Sequence, residues 1–190
     1  MATPSIFAFQ LTGDPILDVT ENGYVWHFSG ANHILNWSTS GSDNWNYSSW
    51  FTTAKINNFK AVFNTVADVA DISFNYLGYF PSDATHGYIK AYNAGSDINI
   101  SFAYTGDNVF PSRSSTAFCY FPTSMDADYP GAPGDMWLNA GNNFIWYQAN
   151  YNPGGNGFYL VLHESLHGLG LKHPHDDGGT ERPTYTELGL

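Results

Sequence analysis

Apolar and polar positions alternate along much of the chain, and two stretches break that rhythm. His33-Ile34-Leu35-Asn36-Trp37-Ser38 has the period-two pattern of a strand. Phe59, Val62, Phe63 and Val66 then fall at i, i+3, i+4 and i+7, the stripe of an amphipathic helix expected over about 52–69 with Thr52 or Thr53 as N-cap. Period two returns with Ile72, Phe74 and Tyr76, and again over 97–103. A strand over 116–121 is halted by Pro122, which suits a sheet edge, and 135–139 reads as a short fifth strand. A second helix begins at 158–162, with Leu162, Leu166 and Leu169 as its expected buried face.

The connections are turn-rich: 39–47, 80–93 (with a short strand expected at 87–90), 106–115, 126–133 and 142–157. Before the first strand of the main sheet, 6–9 and 23–28 read as extended segments closing over a core. Together these elements predict an α+β fold: a mixed, mostly parallel sheet of about five strands with two principal helices.

Composition narrows the function classes. At 190 residues the chain fits a single domain with a proper core, and we read 1–190 as one unit. Six basic against seventeen acidic residues give a formal charge of −11, which repels phosphate backbones and excludes nucleic acid as a partner class. No apolar run approaches the length of a membrane span. The single Cys119 leaves no internal disulfide framework and is expected to be a small buried thiol. The first residues lack the basic start and apolar stretch of a secretory signal, so a removed leader or another export route is expected for a secreted chain.

Four of the seven histidines lie within 163–175. His163-Glu164-Ser165-Leu166-His167 is an H-E-x-x-H run, extended by Gly170 and His173 to H-E-x-x-H-x-x-G-x-x-H. Four residues apart on a helix, His163 and His167 leave the same face one turn apart, a spacing at which two imidazoles can take two corners of a zinc tetrahedron. Gly170 can adopt positive φ and end the helix, freeing His173 to supply a third ligand, and Pro174 discourages return to helix. Glu164 points about a quarter turn away, suited to taking a proton from metal-bound water rather than ligating. His175 and Asp176 follow, with His175 expected at the surface; His27 and His33 are expected at surfaces or strand ends, and His86, in a loop, in solvent.

The long motif is the metzincin signature, and its flanks, Gly168-Leu169-Gly170-Leu171 before His173 and Pro174 after it, resemble the serralysin family of bacterial secreted metalloproteases. The resemblance implies a metzincin-like catalytic domain whose five-stranded sheet has an antiparallel edge strand. It implies one catalytic Zn²⁺ on His163, His167 and His173, with Glu164 as general base. It also implies an extracellular location and a protein or peptide substrate that pairs with the edge strand at Thr116, Ala117, Phe118 and Cys119. The family's calcium-binding repeats are not in this sequence, so calcium belongs only to regions absent from the chain. Nor does a methionine follow His173, the three being Met1, Met125 and Met136. The methionine-containing turn and later part of the family's domain are therefore missing. A truncated form, a fragment whose C-terminal remainder is a separate chain, and a natural short form are all open. Without that turn the loop carrying His173 is expected to lose support. The expected activity is a zinc endopeptidase; the alternative is a weak or inactive fragment serving as a metal-containing peptide- or glycan-binding module.

Overall fold

The computed structural model describes residues 2–6, 12–41, 48–103, 115–123, 131–176 and 184–188. Most of the expected 39–47, 106–115 and 126–133 loops, with Met125, and the stretch 7–9 lie outside the described residues. The elements in chain order are β1 (Thr3–Ile6), α1 (Pro15–Asp18), β2 (Tyr24–His27), β3 (Ile34–Ser40), α2 (Thr53–Ala67), β4 (Ser73–Phe80) and α3 (Gly87–Asn93). There follow β5 (Ile98–Ala103), β6 (Ala117–Cys119), β7 (Met136–Asn139), α4 (Asn156–Gly168) and α5 (Tyr185–Leu188). A π-helical turn, Phe144–Gln148, interrupts the long connection before α4.

The fold is α+β. Its main sheet has the order β4-β3-β5-β7-β6. β4, β3, β5 and β7 run parallel to one another, and β6 is antiparallel to β7 at one edge. β1 and β2 form a separate antiparallel pair, so the expected extended segment at 23–28 is half of a small second sheet. Thr52 caps α2 by accepting from the Lys55 N–H at 3.3 Å, as the sequence predicts.

Apolar stripes explain the layering. Ile56, Phe59, Val62, Phe63 and Val66 are buried on α2, and the first four meet Leu35, Trp37, Ile98, Ile100 and Phe102 from the sheet in one core. Phe63 lies against Trp37 and Phe74, with ring centroids 4.7 and 4.6 Å apart. α4 packs on α2 and on β6 and β7, on this same face. The alternation in β5 does not separate core from solvent, because all six of its residues are buried. Its polar side faces α3 and is tied into a network: Ser38 Oγ bonds Ser96 Oγ (2.7 Å) and Asn99 Oδ1 (3.0 Å), and Asn99 Nδ2 donates to Ser40 Oγ (3.0 Å). A parallel sheet covered on both faces buries such groups, so each needs a partner.

Two local expectations change. The expected strand at 87–90 is the first turn of α3. There Gly87 donates to Ser82 Oγ (2.8 Å), and its missing side chain lets it sit against the carbonyls of Phe80 and Gly41. His86, at the start of this helix, is half-buried and stacks on Tyr88 at 5.2 Å instead of standing in solvent. The second change concerns α4. Its buried face is Gly157, Val161, Glu164, Ser165 and Gly168, and Leu162, Leu166 and Leu169 are half-buried along its flank. Small residues face the sheet because the helix lies so close to it: a Cβ on Gly168 would come within 2.8 Å of Cys119 Sγ and 3.2 Å of the Gly134 oxygen.

Gly168→Ala is therefore expected to cost about 1–3 kcal/mol in urea unfolding, the usual penalty for overpacking. Adding Cys119→Ala removes the nearer obstacle and should make the pair less than additive. Strict additivity would place the clash elsewhere.

Candidate metal centre

α4 carries two of the three histidines, and its C-terminus delivers the third. The helix ends in a Schellman motif, with Leu171 N–H donating to Leu166 O (2.9 Å) and Gly170 N–H to His167 O (2.9 Å). Gly170 has φ +104°, and a Cβ there would collide with the Tyr24 carbonyl, so both its backbone angle and its contact require glycine. The chain leaves this turn held by the N-terminal segment: Asn22 N–H donates to Gly170 O (2.8 Å), Lys172 N–H to Thr20 O (2.7 Å), and Glu21 bridges Leu171. Trp26 Nε1 also donates to Gly168 O (2.8 Å). The His173 loop thus has support that the sequence reading did not foresee.

The three imidazoles converge. His163 Nε2 lies 3.2 Å from His167 Nε2 and 3.0 Å from His173 Nε2. Ligand nitrogens on a tetrahedral zinc are separated by about 3.3 Å, from Zn–N bonds of about 2.0–2.1 Å. The remaining ring nitrogens fix the tautomers. His167 Nδ1 meets the Leu171 carbonyl and His173 Nδ1 meets the Asp176 carboxylate, each at 2.7 Å. Both partners accept, so both Nδ1 atoms carry hydrogen, and in the neutral rings that a metal requires both Nε2 atoms turn bare lone pairs towards His163. One hydrogen on His163 Nε2 cannot serve two such acceptors, whereas a shared cation serves all three. His163, His167 and His173 could therefore hold a metal ion. Burial lowers the pKa of His163 and His167, and the mutual repulsion of the ring charges adds to it, which favours the neutral ligand form.

Glu164 faces inward, 6% exposed, and burial pushes its carboxyl up to about 7. It is near enough to Cys119 on β6 to help raise that thiol's pKa, a shift caused chiefly by the thiol's own burial. Cys119 Sγ also contacts the Gly134 oxygen at 3.3 Å, and the thiol is the buried structural group the sequence suggests. Thr116, Ala117 and Phe118 are half-buried along the same edge. Phe121, just past β6, meets His167 edge-on at 5.6 Å, so the edge strand leads to the histidines.

His175 is exposed, stacked on His173 at 5.2 Å, and stands outside the convergent trio. Sequence reasoning left Asp176 without a role. Its position three residues after a ligand-type histidine, in a tight turn, was the available signal. The Leu171 carbonyl has no sequence signal at all, since any residue supplies one. The chain matches no family model and no curated protein.

Linkage gives a test on the metal-free protein. Burial raises the folded-state value of Glu164 above its unfolded one, so its contribution is full below about pH 4.5 and is lost as pH rises through about 7. The lowered histidines act oppositely: their contribution is full above their ordinary value, about 6.5, and is lost as pH falls below it. The stability of wild type minus that of Glu164→Gln isolates the first effect and should fall by roughly 3 kcal/mol between those limits. A flat difference would mean that the carboxyl is solvated. Gly170→Ala, strained in φ and blocked by Tyr24, should lower the midpoint of unfolding and weaken zinc uptake together, as read by denaturation and equilibrium dialysis.

Proposed function

We propose that the chain is a serralysin-like metzincin: a secreted, zinc-dependent endopeptidase acting on extended polypeptides. The observation that carries this reading is the convergence of three Nε2 atoms at ligand spacing with the buried Glu164 next to the first of them in sequence. His163, His167 and His173 would hold the ion through Nε2, and their Leu171 and Asp176 partners keep two of the rings oriented. A zinc ion bound there supplies a water whose pKa falls from about 15.7 towards 7 and polarises the scissile carbonyl.

The chain's own part is proton handling and positioning. Glu164 takes the proton of the attacking water and delivers it to the departing amine nitrogen. Its raised pKa leaves it able both to accept and to return that proton near neutral pH.

β6 positions the substrate. Asn139 N–H bonds Thr116 O and Tyr120 N–H bonds Asp135 O, each at 3.0 Å, so those residues bond inward to the β7 side. Alternation then turns the backbone N–H and C=O of Ala117 and Cys119 outward. Among the described residues no strand pairs with that outer side. An extended peptide adding there, as a further strand, follows an edge that leads through Phe121 to His167. Thr116 and Phe118 contribute side chains along this edge rather than main-chain partners. Among the described residues no helix is long and apolar enough to cross a membrane.

Glu164→Gln is expected to lower hydrolysis of casein or a labelled peptide by about 10²–10⁴-fold while leaving zinc content unchanged. His167→Ala should lose both. A Glu164→Gln protein that cleaves at the wild-type rate overturns the mechanism. Retained zinc and peptide binding with no chelator-sensitive cleavage in wild type would instead identify a binding module.

A further inference from the structure

His173, His175 and Asp176 form a second set of donors beside the first. One ligand atom from each lies within 4.8 Å of the others. Asp176 Oδ2 is 2.7 Å from His173 Nδ1, and Asp176 Oδ1 is 3.5 Å from His175 Nε2. The two rings are stacked 8° from parallel, and the side chains of His173, His175 and Asp176 are 39%, 77% and 43% exposed. Two imidazoles and a carboxylate suit a borderline divalent cation such as zinc.

We propose that His173, His175 and Asp176 form a second, weaker divalent-cation site that competes with the trio for His173. This rests on reading the trio as a metal site. The competition follows from the chemistry of one ring. In the trio His173 offers Nε2 while Nδ1 carries hydrogen towards Asp176. A neutral imidazole has one bare nitrogen at a time, so ligation through Nδ1 moves the hydrogen to Nε2 and takes a ligand from the trio. The second set is open to solvent, with the His175 side chain 77% exposed, so its ligands are less well held and it fills at higher free metal. Excess zinc should consequently weaken the first site and slow any reaction there.

Titrating the metal-free full chain with cobalt(II), followed by calorimetry and visible absorption, tests this. Wild type should show a tight step and a separate weaker one. His175→Ala should lose only the weaker step, and His163→Ala only the tight one. A single step in wild type, or an unaltered weaker step in His175→Ala, overturns the proposal. If no tight step is found but His175→Ala still removes a weak one, the reading of the trio fails and the second site stands. Where hydrolysis is measurable, excess zinc should slow wild type and spare His175→Ala; equal slowing in both would refute the sharing of His173.

Discussion

Three imidazole lone pairs pointed at one another repel, and the site depends on keeping them together. Two are fixed by the four-residue repeat of α4, which needs nothing beyond helix geometry. The third comes from outside the helix, on a loop that must turn back sharply at Gly170. Hydrogen bonds from two of the rings to the Leu171 carbonyl and the Asp176 carboxylate orient them, and the N-terminal segment around Thr20 and Asn22 fastens the loop. The arrangement is thus built in advance of any ion, which is what gives a metal site its affinity and geometry.

Burial does the complementary work. Glu164 lies on the face of α4 that packs towards the sheet, where desolvation sets its proton affinity. That face carries glycine, serine and valine rather than leucine, so the helix can approach β6 closely and bring Glu164 near the edge strand. The same close approach leaves Cys119 with neither room nor charge to act as a ligand.

Much of this was legible in the sequence because the relevant signals were local. The stripe of Phe59, Val62, Phe63 and Val66 marked α2, the period-two runs marked the strands, and Pro122 marked the edge. His163, His167 and His173 could be placed together from spacing alone, with Gly170 as the turn. What escaped was decided by tertiary contact. Helix α3 starts where a strand was expected, with Gly87 fitted against the carbonyls of Phe80 and of Gly41, the second of them distant in sequence. Leu162 and Leu169 of α4 pack against the core only half-buried, while small residues take the face closest to the sheet, and no pattern on the helix itself reports the distance to its neighbour. Likewise, the alternation of β5 does not tell that its polar side is buried under α3.

The bonds between Thr20 and Lys172 and between Asn22 and Gly170 join segments near opposite ends of the described chain. Such a clasp closes one of the longest loops the polypeptide makes, and contacts of that span form slowly because their entropy cost precedes their reward. During synthesis the third histidine cannot be seated until residues near 170 have emerged and met a segment made long before. Maturation of the centre is therefore tied to completion of the fold, and a partly made chain holds at most the two-histidine half.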